Sequence, residues 1–366
     1  MDSISLQKPN NDQKVDGDGD FLFGEEVIYG SMLPMVLRAV IKLNVLEIMN
    51  KAPTTNLSAY QIASQIPNNK NPDAHIMLDR ILGFLACHSV LTCTTQLSNA
   101  GKVERLYGLS PACNCFLENN EDGASLSRLL LFVHSERAQE CWLYLDEVVL
   151  QPNFSAMEKV YGAKSYDHLA TDVSESELFN KATSDHTTIV MRRILDKYKG
   201  FENVKVVVDV GGGIGTNINM IVSKYPTIKG INFDLPHVVD TALSYPGVEH
   251  VGGDMFASVP KGDAIFMKWV FNNWSDQECL TLLKNCYEAL PDGGKVIIVE
   301  KILPSIPAAN NSARTTYAFD LNLMVITPKS RERSKEEFEV LAKSSGFIGF
   351  SLICNACNYW VIEFLK

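Results

Sequence analysis

The chain has 366 residues, 46% hydrophobic and 21% charged, with a formal net charge of −10, an ordinary globular composition with room for two cores. The acidic balance argues against nucleic acid and against an anionic membrane surface, because both need clustered Lys and Arg. The first twenty residues are polar and acidic, and no apolar run is long enough to span a bilayer, so a cytoplasmic protein is expected.

Residues 1–20 read as a disordered tail, with little apolar side chain to bury. Residues 21–195 then read as mostly helical. "SMLPMVLRAVIKLNVLEIM" (31–49) sets Met32, Met35, Val36, Ala39, Val40 and Leu43 on one helical face. That face suits a core or a second copy of the chain. "LSAYQIASQIP", "NPDAHIMLDRILGFLACHSVL" and "RLYGLSPACNCFL" follow as helix, helix and extended hairpin, a winged-helix-like pattern. In an acidic chain such a unit is expected to serve packing and dimerisation.

From 196 to 366 the rhythm changes. "VKVVVDV", "IKGINFDL", "EHVGGDM", "DAIFMKWV", "GGKVIIVEKIL" and "YWVIEFL" are β-rich runs, and helical segments such as "TNINMIVSKYP" and "DQECLTLLKNCYEAL" alternate with most of them. The pattern predicts an α/β domain with a mostly parallel sheet, helices on both faces, and a ligand site at the carboxyl ends of the strands. The nine cysteines are scattered, as suits a reducing compartment, and the single Cys354-x-x-Cys357 lacks the second half of a zinc site. No metal is expected.

"DVGGGIG" lies between a strand and a helix, where Gly211 and Gly213 let the backbone approach a ligand closely. Asp234 ends the next strand, placed for ribose hydroxyls. Asp254 ends the third, placed for an adenine amino group with Met255 against the ring. Either acid alone is equally a cap or turn former. In this order they predict an adenosyl pocket.

The succession "DVGGGIG…FDLP…GGDMF…MKWVFNNWSD…VIIVEKILP", with nearly all the chain from about residue 25, resembles the plant caffeic acid O-methyltransferase family. The resemblance implies a Rossmann-like S-adenosylmethionine (SAM) domain, an N-terminal dimerisation domain, a homodimer, and metal-free methylation of small aromatic molecules. Gly211, Gly213, Asp234, Leu235, Asp254, Met255, Lys268 and Trp274 would then hold SAM.

The loop departs from the family's W-x-x-H-D-W. Asn272 stands where the family has its histidine base, and Asn273 stands where it has aspartate. No histidine occurs between 251 and 366, and Glu300 and Glu332 remain at the flanking carboxylate positions. A phenol with a pKa of about 10 is a poor nucleophile without a base, whose loss costs on the order of 10²- to 10⁴-fold. An aromatic amine already offers a lone pair and needs mainly positioning. Asn272 and Asn273, with Glu300 and Glu332, are therefore expected to form a site for an amine.

The acceptor wall differs from the family's as well. "ATSDH" puts Thr183 where the family has methionine, "FVHSE" brings His134 with Arg137 just beyond it, and Thr327 replaces an asparagine. Phe179 is expected on the same wall. His134 and Arg137 suit a carboxylate such as that of anthranilate. The expected activity is N-methylation of an anthranilate-like amine or alkaloid precursor, as in the family's anthranilate N-methyltransferases. O-methylation of an acidic phenolic hydroxyl, with Glu300 as base, is one alternative. A SAM-binding scaffold without activity is the other.

Overall fold

The computed structural model describes residues 17–97, 101, 103–118, 123–162 and 172–366. It divides into two compact units, 1–114 and 115–366. The division precedes the boundary expected at 195, which falls within the helix Val173–Lys197. Residues 1–16 of the expected tail lie outside the described residues; 17–20 form the first turn of the helix Gly17–Tyr29.

In the first unit the helix expected over 31–49 is two helices, Met32–Lys42 and Val45–Lys51, because Asn44 turns the chain at a left-handed φ of 59°. Asn tolerates that conformation better than most residues. Only Leu37 and Val40 of the first of these are buried, while Met32, Met35 and Leu43 are exposed. The helices Ala59–Ala63 and Ala74–Cys87 precede a hairpin in which β2 (Leu91–Leu97) pairs antiparallel with β3 (Val103–Leu109), and β1 (Leu57–Ser58) adds to its other edge. Tyr107 is wholly buried in β3, and its hydroxyl donates to the Asp79 carboxylate at 2.7 Å, tying the hairpin to the helix.

The second unit is built on a seven-stranded sheet. The strands are β4 (Val206–Val210), β5 (Lys229–Asp234), β6 (Val248–Gly252), β7 (Ala264–Lys268), β8 (Lys295–Glu300), β9 (Gly349–Ala356) and β10 (Tyr359–Leu365). Their order is β6-β5-β4-β7-β8-β10-β9, parallel through β8 and antiparallel for the last two. Successive side chains go to opposite faces. Val208, Val296 and Ile298 pack with Leu282, Leu283 and Phe338, while Val207, Ile297 and Val299 pack with Met191, Ile194 and Ile218. Both faces are covered by helices, so the strands read as continuous apolar runs.

The helix Asp276–Ala289 shows how local sequence serves this layer. Ser275 and Glu278 form a capping box that satisfies two end N–H groups. Cys279, Leu282, Leu283 and Cys286 then recur at helical spacing toward the sheet, each buried leucine contributing roughly 1.5–3 kcal/mol. Cys357 lies in the turn between β9 and β10, where its sulfur accepts a hydrogen bond from Arg193 at 3.0 Å. Among the described residues no helix is long and apolar enough to cross a membrane.

Strand order reverses between β4 and β7. In such a sheet the crevice for a ligand opens at the carboxyl ends of these two strands. The glycine turn follows β4 and the asparagine loop follows β7, so two segments about sixty residues apart in sequence flank one crevice.

Candidate active site

The glycine turn is shaped for close approach. Gly211, Gly213 and Gly215 have φ of 67°, 58° and 88°, a region side-chain-bearing residues resist. A Cβ on Gly212 would lie 2.1 Å from Asn232 Oδ1, whereas one on Gly213 would meet nothing within 4 Å. Gly212 therefore packs against protein while Gly213 faces open space. Asp234 accepts from the N–H of Gly213 at 2.8 Å and of Leu235 at 2.7 Å, so the acid shapes the turn it borders. Asp254 Oδ1 accepts from Phe256 N–H at 2.9 Å. Met255 carbonyl accepts from Asn285, and Trp274 meets Phe256 edge-on at 4.8 Å.

Asp209 and Asn232 also belong to this cradle, although nothing in their residue types marks them as site residues. Both are fully buried, and Asn232 Nδ2 donates to Gly213 O at 2.8 Å. Burial, and then the nearby Asp234, push the Asp209 carboxyl up to about 8. Asp209 is sealed behind the turn, while the carboxylates at the end of β5 and just past β6, with the open Gly213, fit a ligand carrying hydroxyls and amino groups, as the adenosyl pocket requires.

After β7 the backbone turns sharply. Trp269 has a φ of 59°, a conformation that costs a non-glycine residue about 1–3 kcal/mol and persists only where its surroundings impose it. They do so here: its ring stacks on His186 at 4.4 Å and on Phe319 at 5.6 Å, with Lys268 Nζ 3.6 Å from its centroid. Lys268, at the end of β7, donates to Thr187 Oγ1 at 3.1 Å. Burial lowers its ammonium to about 7 against the opposing pull of Glu300 and Asp209.

Two side chains from elsewhere clamp the loop. Glu300 Oε1 accepts from the N–H groups of Val270 and Phe271 at 2.9 and 3.2 Å. The buried Arg333 donates to the carbonyls of Phe271 and Trp274 at 2.5 and 2.6 Å and to Asp276 Oδ1 at 3.0 Å.

The two asparagines separate here. Asn273 Nδ2 donates to Trp269 O at 2.8 Å, closing the loop on itself. Asn272 is buried, with its amide against Glu332, and its Oδ1 has no hydrogen-bond partner among the described residues. Neither do Glu300 Oε2 and Glu332 Oε1, so three sealed acceptor oxygens lie in one cluster. Burial first, then Glu300, raise the Glu332 carboxyl well above 4.5; burial raises Glu300 to about 7, opposed by Lys268. Two such neighbouring carboxylates resist ionising together. The pair holds a proton readily and keeps acceptor oxygens without a partner among the described residues.

Phe179 and Thr183 lie on the helix Val173–Lys197 with His186, at spacings that share one face. Phe179 packs on Phe132 at 5.3 Å, and Thr183 Oγ1 donates to the helix's own carbonyls of Phe179 and Asn180. His134 caps the helix Ser127–Val133 and bonds Gln139 at 3.0 Å. Arg137 lies exposed over the Tyr161 ring at 5.5 Å. Thr327 ends the helix Asn311–Ile326.

Residues 142–348 match the family model described as the O-methyltransferase domain, and residues 25–119 match the O-methyltransferase dimerisation domain. The caffeic acid 3-O-methyltransferase of Rosa chinensis is 52% identical over 346 residues, 94% of each chain. That of Medicago sativa is 50% identical with the same coverage. The crystal structure of human N-acetylserotonin methyltransferase in complex with SAM matches with a TM-score of 0.79 over 98% of this chain and 99% of that one, at 20% identity, which bears on the fold alone.

These relatives overturn the expected N-methylation of an anthranilate-like amine or alkaloid precursor, because the curated proteins half identical over nearly the whole chain carry O-methyltransferase names. With no imidazole at position 272, Glu300 and Glu332 stand as buried carboxyls of raised proton affinity, and that burial is invisible in the residue types.

Proposed function

Since this chain belongs to the plant caffeic acid O-methyltransferase-like family of SAM-dependent methyltransferases, we propose that it methylates a phenolic hydroxyl of a small aromatic acceptor. Glu300 and Glu332 together serve as its base. The observation that carries this reading is the buried carboxylate pair with raised proton affinity and unpartnered oxygens beside Asn272 Oδ1.

Bound SAM supplies an electrophilic methyl group on a sulfonium. Gly211, Gly213, Asp234, Leu235, Asp254, Met255, Lys268 and Trp274 hold it at the carboxyl ends of the strands. The acceptor hydroxyl would donate to the Glu300–Glu332 pair and give up its proton there during methyl transfer. Asn272 Oδ1 orients that hydroxyl by accepting a hydrogen bond while the proton is still on oxygen. Asn273 shapes the loop that carries Asn272. Phe179, Thr183 and Thr327 contribute to the acceptor wall.

Against a phenol near 10, Glu300 at about 7 leaves proton transfer uphill by roughly 4 kcal/mol. A carboxyl at its ordinary 4.5 would leave roughly 7 kcal/mol. The shift thus removes about 3 kcal/mol of that deficit.

The working form is proposed to be a homodimer through the first unit. Phe21, Phe23, Val27 and Ile28 are each more than 60% exposed there, an apolar surface of the kind that marks an interface.

Methyl transfer from labelled SAM to a catechol or monophenol, alongside the isosteric aromatic amine, tests the reading. Transfer to the phenol with a rate rising through pH 7 is expected. A protein that binds SAM and methylates no phenol refutes it.

A further inference from the structure

Lys301, one residue past β8, is 6% exposed, and among the described residues its ammonium has neither a hydrogen-bond partner nor an ion pair. Its nearest charge-accepting neighbours are aromatic: Nζ lies 4.6 Å from the Tyr359 ring centroid and 6.0 Å from that of Phe319. Unlike His186 Nδ1 and Asn272 Oδ1, its Nζ is not sealed from solvent, so this unpaired cation keeps some contact with water. The contrast with Lys268, which bonds Thr187 and lies on the Trp269 ring, is direct.

The surroundings place Lys301 on the wall of the cluster already described. Phe319, on the helix Asn311–Ile326, stacks on Trp269, the head of the Asn272 loop. Tyr359, at the start of β10, reaches His186 Nε2 with its hydroxyl at 3.4 Å. His186 Nδ1 is sealed without a partner among the described residues. Glu332 and Cys357 are the groups that favour the charged form of Lys301, opposing burial, and Lys301 in turn helps hold His186 neutral. The groups facing it are thus Glu332 before the helix Lys335–Ser344, His186 from the helix Val173–Lys197, and Tyr359 with Cys357 from the β9–β10 corner. Burial and then Glu300 hold the Glu332 carboxyl well above its ordinary range, so Lys301 lacks a full counter-charge.

We propose that Lys301 receives the acceptor oxygen as it becomes a phenolate, so that this enzyme selects acidic phenols that enter or react as anions. This rests on the proposed O-methylation and names its acceptor class. A preorganised cation aimed at developing negative charge acts without reorganising during the reaction. It does the part of the absent imidazolium that a carboxylate pair is unable to do: the pair takes the proton, and Lys301 favours the charge left behind.

The test uses the full-length protein, S-adenosylhomocysteine and 4-nitrophenol, whose phenolate absorbs visibly. In the wild type the bound probe is expected to titrate lower than in Lys301→Met by about one unit or more, the usual effect of an opposite charge nearby. Lys301→Gln provides a second neutral variant, Lys301→Arg is expected to restore most of the shift, and S-adenosylhomocysteine affinity reports folding in each. In turnover, kcat/KM for monophenols is expected to fall about 10- to 10²-fold in Lys301→Met, with the rising pH limb displaced upward. An unchanged titration in both neutral variants, or no binding of the probe by wild type, overturns the anion site. If the wild type methylates no phenol yet ionises the probe in a Lys301-dependent manner, the proposed reaction fails and the anion site stands. Phenol methylation with Lys301-independent titration does the reverse, sinking the anion site while the reaction stands.

Discussion

Replacing Glu300 with Gln removes the titrating carboxyl and keeps its outline. Gln retains an oxygen for the N–H groups of Val270 and Phe271, which Glu300 holds at 2.9 and 3.2 Å. Each bond loses its ionic assistance, about 1 kcal/mol apiece, so a stability loss of roughly 2 kcal/mol is expected without collapse of the loop. The kinetic effect is larger. Glu300 at about 7 contributes roughly 3 kcal/mol of proton affinity over an ordinary carboxylate, and Glu332 remains as a buried substitute that has lost its charged neighbour. The loss in kcat is therefore placed near the lower end of general-base effects, about 10²-fold. Initial rates with labelled SAM and a monophenol from about pH 5.5 to 9, alongside SAM affinity, separate chemistry from binding. The wild-type limb near pH 7 belongs to the pair and should vanish or move in Glu300→Gln. A variant with wild-type stability, kcat/KM within about threefold and an unmoved limb refutes the role of this carboxylate.

Other perturbations probe the same geometry. Asn272→His puts an imidazole beside Glu332 and Glu300 and is expected to raise kcat/KM toward phenols about 10- to 10²-fold near pH 7; a folded variant with no gain counts against the Asn272 assignment. Gly212→Ala is expected to cost on the order of 2 kcal/mol or more in urea unfolding, because its Cβ meets Asn232 and Asp209. Gly213→Ala costs about 1 kcal/mol for its positive φ but should weaken SAM binding more than it weakens folding; the opposite ranking contradicts the orientation of the turn. Asp209 and Glu300, raised to about 8 and about 7, take up protons on folding, as does Glu332, so stability is fully present below their unfolded values of about 4 and the share of the first two is lost as pH rises toward about 7–8. Thermal midpoints should fall from about pH 5 to 8, with a shallower fall in Asp209→Asn. Lys268, lowered to about 7, acts in the opposite sense above that pH.

The sheet was legible because its strands carry their own signature. "VVVDV" and "KVIIVE" are buried on both faces and bounded by turn residues, so their identity depends on local sequence. The glycine turn, Asp234 and Asp254 were legible for a related reason: each is tied to the end of a strand, and the ends of parallel strands converge wherever such a sheet forms. The break at Asn44 and the helical start at Gly17 were less legible, since single-residue turns and chain ends give weak periodicity.

What the linear order left open was which side chains share a buried space. Asn272 and Asn273 are adjacent and chemically identical, yet one amide closes its own loop while the other donates to Glu332 and leaves its oxygen without a partner among the described residues. Lys268 and Lys301 both border apolar strands, yet one hydrogen-bonds a hydroxyl and the other meets ring faces and the field of Glu332. Proton affinity follows the same rule: Glu300 and Glu332 are thirty-two residues apart, and only tertiary packing removes both from water and sets them side by side. Residue type determined which groups were present and which strands would carry them. Desolvation and proximity, which depend on the folded neighbourhood, decided which of them gained proton affinity.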